Sequence, residues 1–242
     1  MVNEGERLDD LHRCGYMIIQ DSQGFCFGID AVLLSGFTRV MEGESLLDLC
    51  SGNGVIPILL AAKTKAGRLC GIEIQKGSVD MARRSVAYNR LEGRVSITEG
   101  DIKDIASIAA AGSFDVVTAN PPYIEAGTAV KGEYLPKTIA RHELFLNLED
   151  VAFAAAYSLK YGGLFYMVHR PSRLTDIMCA LRKHKLEPKS LRFVQPYENK
   201  APNLLLIEAR MGGGKELKVM PPLIIYDSDG NYTKECRDIY YG

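Results

Sequence analysis

The chain of 242 residues carries 29 Lys and Arg against 30 Asp and Glu, a formal charge of −1, with 47% apolar residues. That apolar share builds a substantial core and excludes wholesale disorder. The balanced charge argues against a protein that coats nucleic acid non-specifically, but leaves room for a local basic face.

The first 44 residues predict a small hairpin (16–20, a turn at 21–24, then 25–27) leading into a helix near 30–40. From 45 to 210, short apolar runs at 46–50, 69–74, 95–99, 114–119, 164–168, 190–194 and 204–209 read as strands. Amphipathic stretches near 55–64, 77–90 and 148–160 read as helices, with a short connection around 102–112. A further helix fits 171–183, with Pro171 in its first turn. Asn147 followed by Asp150 is a helix start, and Gly162-Gly163 a helix stop. Such alternation implies an α/β fold with parallel strands and right-handed crossovers. The last two strands have no helix between them and are expected to pair antiparallel at one sheet edge. After Gly212-Gly213-Gly214 comes a 211–242 tail with a Pro-Pro pair, an apolar run at 223–226 and an Asp229-Gly230 turn, expected to pack back on a single domain.

The six cysteines (Cys14, Cys26, Cys50, Cys70, Cys179, Cys236) contain no C-x-x-C pair, so no metal site is expected. Reduced thiols, the absence of a signal-peptide layout and the absence of any run of roughly 18–20 apolar residues suit a soluble, cytoplasmic protein off the membrane.

The first core strand ends in Asp48-Leu49-Cys50-Ser51-Gly52-Asn53-Gly54, with a helix directly after it. Glycines there let the backbone approach a ligand beside the helix N-terminus. A dinucleotide fold wants a third glycine where this chain has Pro57, and no Gly-Lys-Ser/Thr follows, so nicotinamide cofactors and phosphate loops both lose ground. Glu73, closing the second strand ahead of Ile74, is placed to accept both hydroxyls of a ribose. Asp101, followed by Ile102 after the third strand, is placed to accept from an adenine amino group. Carboxylates at successive strand ends repel a phosphate and suit an uncharged nucleoside or a cationic one such as S-adenosyl-L-methionine.

After the fourth strand stands Asn120-Pro121-Pro122-Tyr123. The prolines stiffen the backbone, so the Asn120 amide oxygen and the Pro121 carbonyl are preplaced to take both protons of an NH2 group. Tyr123 offers a flat face for a planar substrate. These four are the candidate catalytic residues.

Together, Asp48 to Gly54, Glu73, Asp101 and Asn120 to Tyr123 resemble the successive motifs of class I S-adenosylmethionine-dependent methyltransferases that act on amino groups. The resemblance covers about 45–210 and implies a Rossmann-like, doubly wound sheet of seven strands with an antiparallel last strand. Family members with Asn-Pro-Pro-Tyr methylate adenine N6, guanine N2 in ribosomal RNA, or the glutamine N5 of release factors. The flanks are similar to the bacterial valine-tRNA adenine-37 N6-methyltransferases: Gly24-Phe25-Cys26-Phe27-Gly28-Ile29-Asp30, Ala140-Arg141-His142-Glu143, Asn199-Lys200-Ala201-Pro202-Asn203 and Pro222 to Tyr226. Release-factor enzymes carry a sizeable N-terminal helical domain, and here only about 45 residues precede the core. A non-catalytic RNA-binding scaffold that kept the pocket stays open as well.

By that resemblance, Phe27, Gly28 and Asp30 close over the methionine end of the cofactor, and Asp48 with the Ser51 to Gly54 loop holds its amino and carboxylate groups. Glu73 and Ile74 take the ribose side, Asp101 and Ile102 the adenine, and Asn120 borders both cofactor and substrate. The implied partner is tRNA, bound through its anticodon loop by Tyr123, Lys131, Arg141, Arg170, Arg173 and Lys200, although Arg141 and Glu143 equally fit a structural ion pair. Between 160 and 200, nine Lys or Arg stand against three acids, a local basic surplus that positions RNA without reading its sequence.

Overall fold

A computed structural model of the chain describes residues 2–22, 24, 26–122 and 146–242. Strands β1 (Glu6–Asp10) and β2 (Met17–Asp21) pair antiparallel, Glu6 opposite Asp21. The hairpin partner of β2 is therefore 6–10 and not the expected 25–27. The reason is local: the Phe27 backbone N–H goes to the Gln20 side chain (2.9 Å) as the chain turns into α1 (Ile29–Phe37). The hairpin is fastened to the core by side chains. Met17 N–H donates to Asn89 Oδ1 (2.8 Å), Ile19 N–H donates to Ser85 Oγ (2.9 Å), and Arg84 clasps Glu6 at 2.5 and 2.7 Å.

The remaining elements alternate. In chain order they are β3 (Ser45–Leu49), α2 (Val55–Lys63), β4 (Arg68–Glu73), α3 (Lys76–Tyr88), β5 (Val95–Glu99), the short α4 (Ile105–Ile108) and β6 (Phe114–Ala119). After the undescribed stretch come α5 (Leu148–Ser158), β7 (Leu159–His169), α6 (Leu174–Lys183), β8 (Leu186–Gln195) and β9 (Leu204–Met211). The sheet runs β8-β9-β7-β6-β3-β4-β5, parallel except for β9, which is antiparallel to both neighbours. The fold is thus the doubly wound, mostly parallel sheet with a reversed last strand. That strand does not form the rim: β9 inserts between β7 and β8. The rim is β8, extended by β10 (Lys218–Val219) and β11 (Leu223–Ile224), both parallel to it.

Parallel strands are covered on both faces, and their near-continuous apolar runs follow from that. Leu46, Leu69 and Val116 belong to one core with α1, α2 and α3; Leu47, Val117 and Phe165 belong to the other with α4, α5 and α6. Helix α5 begins at an Asn147/Asp150 capping box. It ends at Ser158, ahead of the expected Gly162-Gly163 stop. The glycines lie within β7, where pairing jumps from Phe114↔Leu159 to Val116↔Leu164 and Gly162 takes φ +82°. Glycine is needed there for the bulge and not for a helix cap. Helix α7 (Lys234–Tyr241) lays the tail against α1, where Gly36 lets it approach: a Cβ would stand 2.6 Å from Ile239 Cγ2.

Candidate active site at the carboxyl ends of the strands

Register aligns Leu49 with Ala119 and Ile72, and Glu73 with Glu99, so the ends of β3, β4, β5 and β6 share one edge. The chain leaves β3 through Cys50 (φ +60°), Gly52 (+55°) and Gly54 (+82°). Three left-handed residues in five make a tight arch, two of them the glycines that permit it and one a strained cysteine. Gly54 opens α2, which has no side-chain cap. Below the arch Gly71 is obligatory, since a Cβ there would lie 2.4 Å from Ser51 Oγ.

Asp48 is wholly buried beneath this arch. Its Oδ1 accepts from Thr118 Oγ1 at 2.7 Å, with the buried Ser51 hydroxyl beside it. Burial pushes its carboxyl up to about 7 against the Thr118 and Ser51 hydroxyls, with the Glu73 charge adding to the rise. Glu73 is also buried and raised by burial, opposed by backbone N–H groups: Gln75 donates to Oε1 at 2.9 Å and Gly52 to Oε2 at 2.8 Å. Burial first, and then the charges of Glu73, Asp48 and Asp101, push the Cys50 thiol well up. Asp48, Glu73 and Asp101 thus all lie at the carboxyl ends of β3, β4 and β5.

The hydrogen bonds give these candidate residues partners within the chain. The Gly52 and Gly54 amides, expected to face a ligand carboxylate, donate instead to Glu73 and to Ser51 O (2.9 Å). Asn53 turns its amide toward Ile19 O (3.5 Å) and Gln20 Oε1 (3.4 Å), joining the arch to the hairpin. The Ile102 side chain enters the second core. Asp101 caps the turn after β5, accepting from Lys103 N–H at 2.9 Å, and Ile74 stays exposed beside Glu73. Phe27 is half-buried against the first core, Gly28 caps α1, and Asp30 in its first turn accepts from Ala31 N–H.

Asn120 and Pro121 close β6 on the same edge, with Pro122 beyond them. Tyr123, Lys131 and Arg141 lie outside the described residues. Arg170 follows β7, Arg173 pairs with Asp176 at 2.7 Å, and Lys200 stands exposed on the β8–β9 connection.

Three side chains escaped sequence reading. Thr118 is the hydroxyl on Asp48. Gln20 is 2% exposed and gathers Asp9, Phe27 N–H and Asn53. Its one sequence signal is an amide inside an apolar strand. His169, ending β7, accepts from Arg170 N–H on Nδ1 (2.8 Å), and burial, then Arg173, lower it to about 4, so it is neutral at pH 7. The basic surplus between 160 and 200 is dispersed: Lys183 pairs with Glu149, Arg182 with Glu187 and Arg192 with Glu235. Lys189 donates to the carbonyls of Gly214 and Lys215. With Leu186 level with Met211, β8 enters at the amino end of the sheet, so Lys185 and Lys189 stand far from the candidate site. Among the described residues no cluster of His, Cys, Asp or Glu is placed to hold a metal ion, and no helix is long and apolar enough to cross a membrane.

Residues 28–174 match the family model of the methyltransferase small domain. The chain belongs to that methyltransferase family. Methyltransferase membership agrees with an arch, acids and an Asn-Pro-Pro turn on one strand edge, and it brings S-adenosyl-L-methionine as the donor. The chain is 29% identical over 86% of its length to the tRNA1(Val) (adenine(37)-N6)-methyltransferase of Porphyromonas gingivalis, covering 84% of that protein. It is 26% identical over 96% of its length to the protein of the same name from Shewanella sp., covering 93% of it. Among solved structures, a predicted O-methyltransferase from Agrobacterium tumefaciens superposes with TM-score 0.72 at 21% identity, over 87% of this chain and 95% of that one. A geranyl diphosphate C-methyltransferase from Streptomyces coelicolor, in complex with S-adenosyl-L-homocysteine, gives 0.56 at 13%, over 75% and 76%. Their different reactions show that this methyltransferase fold does not select the substrate.

Proposed function

We propose that the protein methylates N6 of an adenine in tRNA, adenine 37 in the anticodon loop of valine tRNA, using S-adenosyl-L-methionine in the cytoplasm. The observation that carries this reading is the placement of Asn120 and Pro121 at the end of β6, one strand from the β3 arch and its buried acids. The substrate itself is taken from the names of the full-length relatives. The buried Asp48 carboxylate with the Ser51 hydroxyl beside it fits a ligand that brings an ammonium to this edge.

When bound, S-adenosyl-L-methionine supplies an electrophilic methyl group on a sulfonium. In this reading Glu73 uses its remaining lone pairs for the ribose hydroxyls, Asp101 accepts from the adenine amino group, and Ile74 covers the ring. Phe27, Gly28 and Asp30 border the amino-acid end. The Asn120 amide oxygen and the Pro121 carbonyl accept the two N–H bonds of the target amine, which aims its lone pair, and Tyr123 stacks on the flipped base. With the donor bound, Asn120 and Pro121 would hold the target nitrogen in line for the methyl group, and the surplus N–H proton would leave to water. Alignment supplies most of the acceleration, so no buried base is needed. His169 therefore has no part in the transfer.

Unmodified valine tRNA incubated with methyl-labelled donor should yield labelled N6-methyladenosine on nucleoside digestion. Label on release-factor glutamine or on guanine N2 selects those rivals instead, and no transfer with retained S-adenosylhomocysteine binding selects the scaffold. Asn120→Ala should lose at least a hundredfold in kcat with little change in cofactor affinity; equal loss of both removes the role given to Asn120.

A further inference from the structure

The β8–β9 connection reaches the carboxyl edge of the sheet, since Val194 pairs with Leu204 and Leu205 with His169. It carries Tyr197, 38% exposed. An exposed tyrosine alone is ordinary; this one is backed and held. Its ring lies against Tyr226 at 5.4 Å between centroids, tilted by 35°. Behind it Tyr226 stacks on Tyr232 at 5.4 Å and 17°, and Tyr232 on Tyr240 at 5.2 Å and 20°. The connection is fixed from within: Lys200 N–H donates to Tyr197 O (3.0 Å), Gln195 Nε2 to Lys200 O (2.8 Å) and Asn203 N–H to Val194 O (3.0 Å). The backbone of the connection is thus fixed, and the Tyr197 ring stays partly exposed at the end of this tyrosine row. The same connection carries the Lys200 ammonium, with Glu198 its single acid, and Arg170 and Arg173 stand two strands away on this edge.

We infer that Tyr197, with Lys200 beside it, is a stacking platform for an unpaired base of the RNA substrate, flanking the base presented to Asn120. The inference rests on the RNA reading above. Tyr197 and Asn120 lie on strand ends three positions apart in the sheet, about 14 Å at the usual strand spacing, a distance that one nucleic-acid loop spans. A π face accepts any base, and an ammonium close by neutralises the neighbouring phosphate without reading sequence. No charged residue between 160 and 200 other than Arg170, Arg173, Glu198 and Lys200 is required for this contact, in keeping with the dispersal of the basic surplus.

The test uses full-length unmodified valine tRNA carrying 2-aminopurine at one anticodon-loop position at a time, with Tyr197→Leu and Tyr197→Trp. Leucine keeps an apolar cover over Tyr226 and removes the π face; tryptophan keeps both. Tyr197→Leu should weaken RNA binding about ten- to hundredfold and abolish fluorescence quenching at one loop position. Tyr197→Trp should retain both, and S-adenosylhomocysteine affinity should be unmoved in either variant. Unaltered RNA affinity in Tyr197→Leu, or an equal loss in both variants, overturns the platform. Failure of the unsubstituted protein to bind or methylate the tRNA overturns the RNA reading itself, and the platform with it.

Discussion

Replacing Asp48 with asparagine probes the most unusual carboxyl in the molecule. Asp48 is fully enclosed, with the Thr118 hydroxyl at 2.7 Å and the Ser51 hydroxyl opposing the effect of burial. Burial moves its ionisation from 3.8 to about 7. At about 1.4 kcal/mol per pH unit, charging it inside the fold costs roughly 4 kcal/mol. The sign is fixed by linkage. Between 3.8 and about 7 the folded protein holds a proton that the unfolded chain has released, so stability falls as pH rises through that window and levels off above it. The asparagine variant has no proton to lose at this position. Urea unfolding at pH 5 and pH 8 should therefore show the natural protein losing about 2–3 kcal/mol more than Asp48→Asn across that interval. Unsatisfied hydrogen bonds of the new amide shift both values equally and drop out. A cationic ligand against Asp48 lowers its pKa, so cofactor binding near pH 7 should release a fraction of a proton in the natural protein and none in the variant. Parallel stability curves for the two proteins would refute the assignment of an enclosed, poorly served carboxyl.

Gln20→Leu leaves the Asn53 amide and the Phe27 N–H without their shared acceptor; a loss of about 1–3 kcal/mol in denaturant stability is expected, with weaker S-adenosylhomocysteine binding because the arch and the entry to α1 lose their common tie. A stability loss with unchanged ligand affinity would make Gln20 purely structural. Gly71→Ala pushes a methyl group into Ser51 Oγ and Ile97 Cδ1, at 2.4 and 2.8 Å, and should cost about 1–3 kcal/mol; adding Ser51→Ala should restore part of it, which thermal melts of the single and double variants read directly.

What the sequence disclosed follows the physics of each signal. Strands with long apolar runs between glycine-rich turns declare a parallel sheet, because burial on both faces leaves no polar alternation. The order of β8 and β9 was hidden, since two apolar strands joined by one connection look the same whether the second lies outside the first or inserts beside β7. The Gly162-Gly163 pair was misread for a related reason: glycine marks a left-handed backbone, and a bulge and a helix cap both want one. At the site, residues announced by spacing, such as Gly52, Gly54, Glu73 and Asn120, do collect on one edge. Residues whose part depends on a long-range partner gave no such notice. Thr118 matters through Asp48, and Gln20 through three segments that are distant in sequence.

Charge shows the same limit more sharply. A count along the chain treats Arg182, Lys183 and Arg192 as free cations, whereas in space each faces an acid. Exposed pairs of this kind add little stability and are screened by salt, yet each takes a cation out of the field that an RNA would meet. The acids at the strand ends work the other way. Asp48, Glu73 and Asp101 are few, but two are buried and all three act on Cys50 without a cation among the causes. In a low-dielectric site a buried carboxylate such as Glu73 weighs more than one on the surface. That field favours a ligand carrying positive charge over the same ligand after it has given up its methyl group and become a neutral thioether. Among the described residues, then, many surface cations are locally paired, while Asp48 and Glu73 sit buried at the strand ends.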